Sequence, residues 1–125
     1  MCGKCYRWAF DFMVNFLWNN RDADPGQYKM CVGILRDPKS GLRNDHAWIE
    51  DITKGEILHK FEARRKIDHA SRKDFYRLMK PQYVKKYSGR EMLKKALKAG
   101  MPGLLPNVPK EVLEASDVRL HWMAN

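Results

Sequence analysis

One cysteine and two histidines are the residues of this 125-residue chain best placed to do chemistry. Cys5 stands at the head of a long apolar stretch, His46 opens His46-Ala47-Trp48-Ile49-Glu50, and His59 lies in the next apolar run, Glu56 to Phe61. A free thiol is only a few per cent ionised near neutral pH, so a nucleophilic Cys5 needs a helix terminus or a base within hydrogen-bond reach. His46 is the candidate base: it would take the proton of Cys5 and later return it to a leaving amine, which is the chemistry of amide hydrolysis or transfer. His59 would orient the imidazole of His46, with Glu50 and Asp51 as rival orienters and Glu50 the alternative that shares the face of His46 on a regular strand. The backbone N–H of Cys5 would supply one oxyanion donor.

Those side chains must be positioned by recognisable elements. From Cys5 to about Asn19 the apolar residues cover most of a helical circumference, leaving Lys4, Arg7, Asp11 and Asn15 as the polar stripe. This predicts a central helix buried on most sides, with Cys5 in its first turn, where unpaired N–H groups and the helix dipole favour a thiolate. Tyr28 to Leu35 reads as a buried strand, with Gly33 marking a bulge or a close approach. Residues 46–51 and 56–61 form a hairpin around a short polar link containing Gly55. If that link has an even number of residues, His59 shares a face with His46. Ser71-x-x-Asp74 and Ser88-x-x-Glu91 have the form of capping boxes that open two basic helices, stopped by Pro81 and Gly100. Residues 101–109 are too rich in proline for either periodic structure, and Val118, Leu120 and Trp122 alternate like an edge strand. The expected fold is α+β: a buried N-terminal helix on a small antiparallel sheet of three to four strands, then C-terminal helices. It forms one domain over 1–125, with 101–125 as an extended tail if it leaves the core.

A Cys-Tyr helix start, a glycine-containing strand, His-Ala-Trp-Ile-Glu, a Tyr-Ser helix start and a Gly-x-x-Gly close, together covering about residues 5–103, resemble the papain-like cysteine hydrolases in their NlpC-like and transglutaminase-like forms. They are similar in particular to small uncharacterised proteins encoded by bacteriophages. The resemblance implies a papain-like fold, a thiol peptidase or amidase activity on a peptide or protein substrate, and the roles of nucleophile, general base and orienting group for Cys5, His46 and His59. The phage proteins tend to carry an acid near the position of His59, and the basic segment 60–73 is heavier than is usual among them.

Charge points in a second direction. Residues 54–98 hold 15 lysines and arginines against five acids, a balance of +10 within a chain whose total is +9. So one-sided a field suits an acidic partner, whether nucleic acid or an acidic protein surface, through weak and salt-sensitive contacts; a solvated set of helix faces is the plainer alternative. The competing expectation is therefore a catalytically inactive protein of the same fold that binds through its basic 54–98 face. Three cysteines are too few and too unevenly spaced for a disulfide framework, and Cys2-x-x-Cys5 lacks the further ligands a structural zinc wants, so neither a metal nor a cofactor is expected. No apolar run approaches the roughly 20 residues of a membrane span, and the N-terminus lacks a signal peptide's pattern. The expected location is the cytoplasm, that of the host cell if the chain is phage-encoded.

Overall fold

The computed structural model describes residues 4–19, 26–60, 66–115 and 117–120. Helix α1 (Lys4–Asn19) is followed by strands β1 (Tyr28–Arg36), β2 (Arg43–Asp51), β3 (Glu56–His59) and β4 (Asp68–Ser71). Then come helix α2 (Arg72–Met79), β5 (Gln82–Tyr87), helix α3 (Gly89–Ala99), a 3-10 turn (Met101–Leu104), the short helix α4 (Lys110–Leu113) and β6 (Val118–Arg119). The class is α+β, as the residue patterns lead one to expect. The sheet is larger than expected: five strands run antiparallel in the order β4-β3-β2-β1-β5, and β6 joins β2 in parallel at Arg43 and Asn44.

Alternation along the central strands creates two cores. Met30 and Val32 of β1 with Ala47 and Ile49 of β2 face α1 and α3, packing on Cys5, Tyr6, Ala9, Met13 and Met92. Cys31 and Leu35 with Trp48 and Ile57 face α2, where Phe75 closes the layer. A sheet covered on both sides buries its central strands almost continuously: six consecutive residues of β1, none of them charged, and seven of β2, where Asp45, His46, Glu50 and Asp51 are polar exceptions that must find partners. Gly33 makes the second layer fit. A Cβ there would lie 3.1 Å from both Trp48 Cη2 and the backbone oxygen of Gln82, where the β1/β5 register shifts between Val32 and Ile34.

The helix ends follow from local chemistry. Ser88 and Glu91 form a complete capping box at α3, whereas Ser71 accepts from the Asp74 N–H at α2 without the reciprocal bond. Helix α2 stops at Lys80, which takes a left-handed conformation (φ 45°) ahead of Pro81. Helix α1 is less enclosed than its composition suggests. Only Cys5, Tyr6, Ala9 and Met13 are fully buried, while Trp8, Phe12 and Phe16 are half-buried, because the sheet covers one side of the helix and leaves this stripe on its outer flank. The described residues beyond Gly100 stay on the body of the domain: Leu104 is part of the first core, and Asp117 holds Arg43 through two side-chain hydrogen bonds of 2.8 and 2.9 Å.

Candidate functional site

Register decides which of the singled-out residues meet. The β2/β3 ladder pairs Ile49 with Leu58 and Asp51 with Glu56, so residues 52–55 make a four-residue loop and the even-loop condition is met. Continuing the ladder sets His59 opposite Trp48 and diagonal to His46. The two imidazoles lie edge to face with centroids 5.8 Å apart, and both are buried. His46 stacks along Trp48 at 6.4 Å, and His59 meets the ring of Phe75 at 5.1 Å. The pair therefore sits on the α2 side of the sheet, with His46 on the stretch of β2 between its pairings with β6 and β3 and His59 at the end of β3.

Cys5 comes from the other side. It is 1% exposed in the first turn of α1, in the core that contains Ala47 and Ile49. Odd-numbered residues of β2 face that core and even-numbered ones face α2, so the structure brings His46 to His59 and sets Cys5 on the opposite face. The β2 side chain that reaches the head of α1 is Asp45, one residue before His46. The hydroxyl of Tyr6 donates to Asp45 Oδ2 at 2.8 Å, with both residues almost completely buried. Burial, and then the neighbouring Asp45, push the Tyr6 phenol well above its ordinary range. Neither residue was singled out from the sequence. The signal was there in the alternation, which puts Asp45 on the face of Ala47 and Ile49, where a buried carboxylate requires a donor.

The thiol on the histidines' own face is Cys31, cross-strand from Trp48. Burial, and then Glu50, push it up to about 12, which keeps it a neutral thiol. Glu50 shares the face of His46, but four residues along a strand is about 13 Å, with Trp48 between them. Its carboxylate is instead held by Arg72 of α2, at 3.0 Å from Nε, and by Lys86 of β5, at 3.0 and 3.2 Å from Nζ. Glu50 is thus a clasp between α2 and the edge strand rather than an orienter of His46. Asp51 accepts from the Lys54 N–H at 3.1 Å and closes the hairpin loop. Among the described residues no group of three histidines, cysteines or acids is placed to hold a metal ion. Cys2, the other half of the Cys-x-x-Cys pair, lies outside the described residues, as do Arg64, Arg65 and Trp122.

The basic segment divides between the two layers and the sheet edge that joins them. Arg72, Lys73, Arg77 and Lys80 lie on or just beyond α2, Lys85 and Lys86 on β5, and Arg90, Lys94, Lys95 and Lys98 on α3. Arg72 and Lys86 are committed to Glu50, and Arg77 lies 3.4 Å from Asp74. Lys73, Lys80, Arg90, Lys94, Lys95 and Lys98 are exposed and make no salt bridge among the described residues. Among the described residues no helix is long and apolar enough to cross a membrane. No family model matches the chain, and neither does any curated protein or solved structure.

Proposed function

We propose that the protein binds nucleic acid without sequence preference, through the band of lysines and arginines that runs from α2 over the β5 edge to α3. The observation that carries this reading is the set of six exposed cations on that band that form no salt bridge among the described residues, with Glu91 an acid that lies electrostatically close to one of them, Lys95. Cations of this kind meet phosphates and release condensed counterions; they fix position and carry no base readout. Tyr83, 37% exposed on the edge strand, offers a ring to an unpaired base. The test is fluorescence anisotropy with single- and double-stranded oligonucleotides over a salt series. Affinity is expected to fall steeply with salt, and Lys94→Glu with Lys95→Glu and Lys98→Glu to weaken binding more than about tenfold and flatten the salt slope. Cys5→Ala should change nothing. Binding that ignores both salt and charge reversal overturns the reading, and equal competition by polyglutamate reassigns the band to acidic proteins.

A second reading, a thiol-dependent hydrolase or transferase of papain-like fold acting on an amide, is favoured by the position of Cys5 in the first turn of a helix packed on the sheet that carries His46 and His59. The alternation of β2 weighs against it. Iodoacetamide at pH 6 separates the outcomes, with Cys31 as an internal control held neutral by burial. Labelling of Cys5 ahead of Cys31 that is lost in His46→Ala supports a thiol–imidazole pair. Labelling unchanged by that substitution removes it.

A further inference from the structure

The outer flank of α1 carries an aromatic recess that neither reading uses. Trp8, Phe12 and Phe16 recur at intervals of four, which stacks them along one side of the helix. Tyr28, at the head of β1, meets Phe12 and Phe16 edge to face, with centroids at 5.1 and 4.7 Å and ring planes at 83° and 80°. Trp8 tilts by 41° against Phe12 at 5.7 Å. All four rings are half-buried, so each keeps part of its surface open. Asp11, Asn15 and Asn19 complete a recess of about 360 Å³, and none of its lining side chains is cationic.

We propose that this recess binds a methylated ammonium group, the trimethylammonium head carried by free choline-like cations and by trimethyllysine. Walls at steep angles to one another present ring edges and faces together, and the negative faces attract a cation that has no N–H to hydrate and methyl groups to bury. The carboxylate of Asp11 adds an opposite charge at the rim, and the amide oxygens of Asn15 and Asn19 add acceptor dipoles. An anion would meet Asp11, and a neutral apolar guest would gain nothing from these three polar groups. The volume lies in the range of small-molecule sites. Arg7, one turn before Asp11, approaches it at 3.5 Å, but both side chains are more than half exposed and their pairing is screened by solvent, so an ammonium guest can share the carboxylate.

Titration of the full chain with choline and with its uncharged isostere 3,3-dimethylbutanol, followed by calorimetry and tryptophan fluorescence, tests the proposal. Choline is expected to half-saturate the site at about 1 mM, the affinity open to a shallow cation–π site, with the isostere weaker by about tenfold. Asp11→Asn, a surface change whose fold is checked by circular dichroism, should weaken choline by about three- to tenfold and leave the isostere unchanged. Phe16→Leu should weaken choline as well. A trimethyllysine peptide that binds more tightly than choline assigns the recess to methylated protein tails; parity assigns it to the free cation. Equal binding of choline and its isostere, or no saturable binding of choline by the folded protein, overturns the proposal.

Discussion

Removing the two cations that hold Glu50 should cost more than removing Glu50 itself. The Glu50 side chain is 3% exposed, whereas those of Arg72 and Lys86 are 54% and 31% exposed. In Glu50→Leu no charge is left buried, because the cations can turn into water, so the expected cost is about 1 kcal/mol or less, as for the loss of a solvent-screened pairing. In Arg72→Ala/Lys86→Ala the carboxylate stays behind without either cation, and breaking a buried pair from one side costs about 3–5 kcal/mol. Arg72→Ala also removes a guanidinium 5.2 Å from the Tyr76 ring, which adds about 0.5–1 kcal/mol. For a domain of this size the double variant should therefore melt about 10–20 °C below the parent. Urea unfolding followed by circular dichroism gives the free energies, and the decisive comparison is the triple variant Glu50→Leu/Arg72→Ala/Lys86→Ala. It should regain most of what the double variant loses. A double variant within about 1 kcal/mol of the parent, or a triple variant no more stable than the double, would refute the assignment of Glu50 as a buried clasp.

Alkaline pH should destabilise the fold. Cys31 keeps its proton in the native state up to about 12, against an ordinary value near 9, so from about pH 9 upward the unfolded chain binds fewer protons than the native one and stability falls. The loss from this thiol is at most about 4 kcal/mol, and the raised phenols of Tyr6 and Tyr76 act in the same direction at higher pH. Urea midpoints at pH 8, 9.5 and 10.5 should decline in the parent and decline less in Cys31→Ala. Gly33→Ala should cost about 1–3 kcal/mol by the same assay, since the new methyl meets Trp48 and the backbone of Gln82 at 3.1 Å. Tyr6→Phe should cost about 1–3 kcal/mol because it takes a buried donor from Asp45.

What could be read in advance was whatever leaves a periodic trace. The ends of α1 and the β2/β3 hairpin followed from spacing, and the meeting of His46 with His59 followed on the condition of an even loop, which the pairing of Asp51 with Glu56 meets. Strands β4 and β5 did not, for one reason: each borders the outside of the sheet, pairs through its backbone, and presents Asp68, His69, Lys85 and Lys86 where an inner strand would show apolar alternation. Glu50 shares the face of His46 without reaching it, because period-two alternation specifies the face and not the distance, and four residues of extended chain exceed side-chain reach. Which core Cys5 joins is not legible either, for a related reason. Order along the chain brings a helix and a strand together without fixing which side of the strand the helix covers, and that side is fixed here by the apolar Ala47 and Ile49.

The connectivity of the sheet also implies an order of assembly. Strands β1 to β4 form a meander of neighbours, while β5 must travel back to β1 and β6 to β2, where Arg43 and Asp117 meet across 74 residues of chain. Local pairings close first because short loops lose less entropy, and the distant ones follow. Substitutions in the β1–β2 hairpin are therefore expected to slow refolding in stopped-flow measurements, whereas Asp117→Ala should chiefly hasten unfolding. The parallel contact of β6 at the root of β2 then acts as a latch on a sheet already formed.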